Sequence, residues 1–430
     1  MMTPVILTGE IWFAGGYISA DYFISEEYTT NVQARSDSGE DFITTFNPGI
    51  SYRTEIAMLD LGARVGYNVI RFDNLTQNDG ENLDFQLDTA FRKNLDTAFS
   101  IDDINLSVNE SIQRDSEIGQ VTRNRNYNAS INYSYRISGI YSISSGIGYN
   151  RTEPLSGNLN ETESYDIPLD LNYRHSATLS YGVGYRFNHD DSSGGNRGAI
   201  STTSHTLYGF TSGIISPLVN GSLQIGAQLQ KTGAIDREEA VIDEFLGFDE
   251  EGVPTSFQQI YIPGSSQDDD INIAPYISGN LAWLISNATS FNFGVSTNFS
   301  TTAVGQTNQG YGANVGLSHV FSTTMSGNLS LSLNLTEFSG NETTFKIRTY
   351  EVILLEDGTP SLGPIIDDSI VARISDTRDE TQWILASGLS KQIGKNSSLN
   401  MDLRYTDNSS SDELFTYNEF SVILRFAQRF

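Results

Sequence analysis

Apolar and polar residues alternate with a period of two along most of this chain. Leu59, Leu61, Ala63, Val65, Tyr67 and Val69 are interleaved with Asp60, Gly62, Arg64, Gly66 and Asn68. Successive side chains of a strand point to opposite faces, so such a run predicts a β-strand with one oily and one polar side. The unit recurs where Leu83, Phe85, Leu87 and Phe91 oppose Asp84, Gln86, Asp88 and Arg92. It recurs again where Tyr127, Ala129, Ile131, Tyr133 and Tyr135 oppose Asn128, Ser130, Asn132, Ser134 and Arg136, and where Tyr165, Ile167, Leu169, Leu171 and Tyr173 oppose Asp166, Asp170 and Asn172. Phe99 and Ile101 share one parity while Ile104, Leu106 and Val108 share the other, which predicts a β-bulge at Asp102 and Asp103. Glu10 to Glu27 reads as the first strand, with its faces unassigned. In the second, Phe46, Pro48, Ile50 and Tyr52 share a face.

The connections carry a second rhythm. Short turns fall near residues 56, 95, 138, 176, 216, 286, 322 and 393, and longer polar loops near 33, 77, 116, 156, 193, 250, 304, 357 and 410. Strict alternation of short and long connections is expected of an up-and-down antiparallel β-barrel with its turns at one rim and its loops at the other. A soluble sandwich has no reason to keep it. The expected fold is all-β: one transmembrane barrel domain over residues 1–430, of about 18 strands, with long loops near 231–269 and 339–377. Tyr127, Tyr135, Tyr141, Tyr149, Tyr165 and Tyr173 then form aromatic girdles at the two membrane interfaces. Hydrocarbon leaves no partner for an unpaired backbone amide, so the last strand must pair with the first. An even strand count sets both termini at the periplasmic, short-turn rim. The segments Ala234 to Gly264 and Gly340 to Ile374 are long enough to fold inward as constrictions, and Tyr350 to Leu355 followed by EDGTP predicts an extra hairpin within the second.

Composition narrows the alternatives. A chain with 21 Tyr and 23 Phe is not disordered, and it contains no run near the roughly 18 apolar residues of a membrane helix. A barrel hides its membrane signal because only alternate residues meet lipid. The absence of cysteine excludes disulfides and thiolate metal sites. With 53 acidic against 25 basic residues, the net charge of -28 speaks against nucleic acid as a partner. Met1 to Glu10 (MMTPVILTGE) lacks the basic start and the long apolar core of a secretory signal. A chain bound for the bacterial outer membrane needs one, so either the signal is already removed, or the start codon is misassigned, or the outer-membrane reading is wrong.

Two segments carry a resemblance. The C-terminal strand, FTYNEFSVILRFAQRF, sets Phe430, Phe426, Leu424, Val422 and Phe420 on one face and resembles the closing strand of bacterial outer-membrane barrels, in which a terminal aromatic serves as the signal read by the barrel assembly machinery. Gln428 departs from the apolar residue usual at its position. Tyr28 to Arg53 resembles the N-terminal signature of the β-barrel porin 2 family through Tyr28, the pair Asn31 and Val32, Asp41 to Ile43, and Pro48 with Gly49; Thr30 stands where an aspartate is common. That resemblance implies a porin-like barrel and, for some members, exopolysaccharide export with a periplasmic partner on the short-turn rim.

Candidate chemistry lies mainly on the polar faces. Asp60, Arg64, Asp84, Asp88, Arg92, Arg136, Asp166, Asp170, Arg186, Asp402, Arg404 and Arg425 are the expected lumen residues. Mixed charges there either impose a transverse field on the pore or lock into ion pairs that stiffen its wall. The four histidines, His175, His189, His205 and His319, stand in separate hairpins at the rim or lumen with no triad or metal spacing, and no enzyme is expected. Asp243, Glu244, Asp249, Glu250, Glu251, Asp268 and Asp269 make an acidic loop suited to loose Ca2+ or Mg2+ bridging between loops or to lipopolysaccharide, but without a defined site. The functional expectation is an outer-membrane channel for hydrophilic solute or polymer, with exopolysaccharide export as its specific version. A general diffusion porin and a closed barrel acting as surface anchor or adhesin are the alternatives.

Overall fold

The structure is a computed structural model. It describes the chain apart from residues 1–10, 14, 33–38, 57–58, 92–97, 116–119, 156–159, 194–199, 234–239, 249–253, 263–269, 302–306, 340–342, 355–359 and 375–376. β1 (Ile11–Phe13) is a short arm folded back on β2 (Gly16–Thr29) through Gly15, whose φ of 83° is one that glycine adopts at little cost. The single first strand read from the sequence is therefore two. The chain continues through β3 (Asp41–Ile56), β4 (Leu59–Phe72), β5 (Gly80–Phe91), β6 (Phe99–Asp115), β7 (Gln120–Arg136), β8 (Tyr141–Pro154) and β9 (Glu161–Arg174). Next come β10 (Leu179–Ser193), β11 (Ile200–Ser216), β12 (Val219–Thr232), β13 (Ala240–Phe248), β14 (Pro254–Ile262), β15 (Asp270–Ser286) and β16 (Thr289–Thr301). The last are β17 (Thr307–Ser322), β18 (Met325–Ser339), β19 (Thr343–Leu354), β20 (Pro360–Ile374), β21 (Arg378–Gln392), β22 (Ser397–Ser410) and β23 (Tyr417–Arg429).

Nineteen strands share one antiparallel sheet; β1 is its side arm and the other eighteen close a barrel. Closure is made by β2 and β23, in register from Asp21 opposite Arg429 to Thr29 opposite Ser421. The bulge expected at Asp102 is present: the β6–β7 register slips between Ile101 and Asp103. Asp102 accepts hydrogen bonds from the Ser100 and Ser134 hydroxyls at 3.0 and 3.2 Å, so the extra residue is held by side chains where the ladder leaves it.

The two faces of the wall differ as the alternation demands. Ile50, Val65, Leu83, Leu106, Ile147, Leu169, Val183, Leu207 and Leu424 stand exposed on the outside. Apolar cover of this extent has no place in water and marks a lipid-facing surface. Tyr149 and Tyr165 lie 5.1 Å apart ring to ring, and Tyr141 and Tyr173 lie 5.4 Å apart. On both β8 and β9 the two tyrosines are separated by eight residues. At ~3.4 Å per residue and a tilt of ~40°, that spacing is roughly 20 Å along the barrel axis, close to the apolar band of a membrane barrel.

Beyond the tyrosines nearest the long loops runs an outward ionic ladder. Arg71 pairs with Glu81, Arg123 and Arg125 converge on Glu110 at 3.4 and 2.6 Å, and Arg151 donates to Glu161 at 2.9 Å. Tyr67 donates to Glu81 at 2.7 Å, and Tyr127 and Tyr149 donate to Glu153 and Glu163 at 3.2 Å each. This is the level at which hydrocarbon gives way to charge.

The two long segments form a second sheet, ordered β13-β14-β19-β20. The hairpin expected around Tyr350 exists as β19 and β20, but the first segment also folds into a hairpin, β13 with β14, which the loop reading did not anticipate. The two hairpins join where Ser256–Tyr261 pairs with Lys346–Glu351. Their backbones thus pair with each other, and no strand of this sheet pairs with a barrel strand among the described residues.

Candidate functional site: the lumen wall

Alternation that turns apolar residues outward turns Asp, Asn, Ser and Gly inward. Among the described residues, the lumen residues expected from the sequence enter two charged clusters; a third inward ion pair, which the sequence did not single out, joins Arg378 to Glu380 at 2.6 Å on β21. In the first, Arg64 on β4 reaches across β3 to Asp21 on β2, donating to Asp21 Oδ1 from Nη2 at 2.7 Å and from Nε at 3.1 Å. It also donates to Asn47 Oδ1 at 2.6 Å, and Asn47 in turn donates to Asp84 Oδ2 at 2.8 Å. The reach is possible because β3 presents Gly49 under the guanidinium: a Cβ there would stand 2.5 Å from Arg64 Nη2. In the second cluster, Arg186 Nε lies 3.4 Å from Asp166 Oδ1, and Tyr208 donates to Asp170 Oδ1 at 2.6 Å. The Tyr208 ring occupies the place where a side chain on Gly184 would be.

The remaining expected residues are dispersed. Asp88 accepts from Gln86 at 2.8 Å, Arg404 donates to Thr406 at 3.2 Å, and the Arg425 guanidinium lies 5.0 Å from the Phe23 ring centroid. Asp60 and Arg136 fall on the inward parity of β4 and β7, and Asp402 on that of β22. Arg92 lies outside the described residues, as do Asp249, Glu250, Glu251, Asp268 and Asp269 of the acidic loop; Asp243 and Glu244 fall on β13, of which only the backbone is described. Among the described residues no group of three or more His, Asp or Glu is placed to hold a metal. His189 bonds Thr203 and Asp191 at 3.0 and 3.1 Å, His205 bonds Tyr185 at 2.7 Å, and His319 bonds Thr289 at 2.8 Å. These three share the outward parity of Tyr185, Leu207 and Leu317, so they stand on the outer face rather than in the lumen.

Three further parts of the site escaped the sequence reading. Asp21 and Asn47, the partners of Arg64, were not singled out: the faces of β2 are poorly marked by alternation, and on β3 only the apolar face, Phe46 to Tyr52, was marked. The glycines that make room for Arg64 and Tyr208 became legible only through the register. The third part is a fold in the wall: β16 approaches β10 and β11 to within 8 Å between Cα atoms, although β12 and β15 separate them in the sheet. Tyr208 and Tyr276, 3% and 7% exposed, pack ring to ring at 5.5 Å inside this curl, where Tyr276 donates to Gln224 at 2.7 Å. At the short-turn rim a cavity of about 620 Å³ is lined by Asp21, Tyr22, Thr323, Lys395, Gln428 and Arg429.

No family model and no curated protein matches this sequence, so the resemblance of residues 28–53 to the porin 2 family is not shown. Solved structures do align over nearly the whole chain. The siderophore receptor PirA from Pseudomonas aeruginosa aligns at 10% identity and a TM-score of 0.44, over 96% of this chain and 80% of its own. The outer membrane protein OpdK from Pseudomonas aeruginosa aligns at 9% identity and 0.41, over 96% and 99%. OmpT, an outer membrane protein of Vibrio cholerae, aligns at 7% and 0.38, over 98% and 99%. What this chain has in common with them is confined to the architecture of a β-barrel.

Proposed function

We propose that this protein is a non-enzymatic outer-membrane channel that passes hydrophilic solute through the barrel lumen. One observation carries the reading: a closed wall of eighteen strands whose outside is apolar and whose inside is polar and charged. A barrel of that strand number has the circumference for an aqueous path. The tyrosine girdles and the ionic ladder suit a bilayer whose long-loop side carries a charged glycolipid such as lipopolysaccharide, and the aromatic C-terminus suits assembly by the barrel machinery. Exopolysaccharide export, with a periplasmic partner on the short-turn rim, is the narrower version; its only support is the resemblance of residues 28–53.

The curl of β10–β16 and the sheet built from the two long segments favour a second reading, a closed barrel that displays this sheet as a surface anchor. Swelling of proteoliposomes in neutral sugars of graded size separates the two. A channel admits the small sugars and swells, whereas vesicles holding folded but closed barrels stay as they are.

A further inference from the structure

Residues 271–336 contain no Asp, Glu, Lys or Arg. They supply all of β16 and β17, β15 but for Asp270 at its start, and β18 but for its last residues from Glu337, four strands adjacent in the sheet, and therefore a sector of wall without charge between those ends. Phe293, Leu317, Leu329 and Leu331 mark its outward parity; Ser, Asn and Gly make up most of the inward one. Within the sector, inward asparagines stand directly opposite glycines on the neighbouring strand: Asn298 opposite Gly310, Asn314 opposite Gly294, Asn334 opposite Gly312, and Asn328 opposite Gly388 of β21. The amides lie across the glycine backbones. A Cβ on Gly294 would stand 2.7 Å from Asn314 Oδ1, and the corresponding place over Gly310 is taken by the Asn298 amide; one on Gly388 would stand 2.5 Å from Asn328 Oδ1 and 2.8 Å from Asp402 Oδ1, so Asn328 lies at the charged edge of the sector. Asn298, Asn314 and Asn328 stay exposed. The result is a low paving of primary amides, each with two N–H donors and a carbonyl acceptor and none with charge.

We propose that this sector is a track for a neutral polyhydroxylated solute, an uncharged oligosaccharide. The proposal rests on the channel reading and names the solute class for it. An ion that leaves water for an uncharged wall loses hydration without gaining a counter-charge, and an apolar solute leaves the amides unsatisfied. A hydroxyl both donates and accepts, so it exchanges water for amide at small net cost. Successive amides spread over several strands match a chain of repeating hydroxyls better than a compact solute. The carboxylates of Asp84, Asp166 and Asp170 on the other sectors add repulsion against anionic sugars.

The test is single-channel recording of the intact chain with maltohexaose, with a polyethylene glycol of matched size and a hexameric oligogalacturonate as comparisons. Maltohexaose is expected to interrupt the current in resolved blocks that outlast those of the glycol severalfold, while the oligogalacturonate gives none. Asn314→Ser combined with Asn328→Ser is expected to shorten the blocks about fivefold at unchanged open conductance, the effect of losing one net hydrogen bond. Asn298→Thr serves the same purpose if the double variant does not insert. Open steps without saccharide blocks, or blocks equal to the glycol's or unchanged in the variants, overturn the track while the channel stands. A folded barrel that never conducts overturns the channel reading and this proposal with it.

Discussion

The backbone amide of Phe430 donates to the carbonyl of Ala20 at 2.7 Å, so the last residue of the chain is a rung of the seam that closes the barrel. Its ring lies 5.9 Å from that of Tyr22, nearly parallel. Removing Phe430 is expected to weaken the seam by about 1–2 kcal/mol, from one backbone bond and one aromatic contact. The measurement is the fraction of refolded protein that keeps its compact gel mobility before heating; that fraction falls for the deletion, and Phe430→Tyr restores it. Equal fractions for all three proteins would contradict a closing role.

Arg64 and Gly49 depend on each other. Gly49→Val places side-chain atoms where the guanidinium now lies and is expected to cost about 1–3 kcal/mol by overpacking. Arg64→Ala leaves Asp21 without its ion pair, at about 1 kcal/mol for a pair partly open to solvent. Urea titration of the folded fraction in lipid vesicles checks both. The order is expected to hold, with the glycine substitution costing more than loss of the charge it accommodates.

Adjacent residues of β9 face opposite solvents. Leu169 is 48% exposed on the outer face, while Asp170 accepts from Tyr208 within. Leu169→Arg is expected to destabilise the barrel by about 2–4 kcal/mol, the cost of a charge at mid-membrane depth. Asp170→Asn keeps an acceptor for the Tyr208 hydroxyl and is expected to cost under about 1 kcal/mol. Equilibrium unfolding in phospholipid vesicles gives both values, and equal costs would contradict the assignment of faces.

Asp21, Asp84, Asp88, Asp166, Asp170 and Asp402 share the inward face with Arg64, Arg136, Arg186, Arg404 and Arg425 in a chain of net charge -28. A modest preference for cations is expected. Under a salt gradient the reversal potential takes the sign for cations, and Asp84→Asn with Asp88→Asn moves it toward zero.

How much of this was legible in the sequence varies with the kind of signal. Strands such as β4 and β7 alternate cleanly because each separates lipid from lumen, so their existence and faces follow from periodicity alone. The bulge at Asp102 was readable for the same reason, since one inserted residue flips the parity on either side of it. The break at Gly15 was not, because β2 carries Tyr17, Phe23 and Ile24 on mixed faces. Pairing between β14 and β19 joins residues about 90 positions apart and leaves no local mark. Individual lumen candidates were visible as polar parity, but Arg64 meeting Asp21 over Gly49 depends on register between three strands, which alternation leaves open.

The central claim, an aqueous path through the barrel, is tested most directly by single-channel conductance of the refolded chain in a planar bilayer, with neutral polymers of graded size as blockers. Stable open steps, reduced by polymers small enough to enter and unaffected by larger ones, are the predicted result and bound the pore width. Sustained silence from protein shown to be folded by its heat-sensitive gel mobility would contradict the claim and leave a closed barrel.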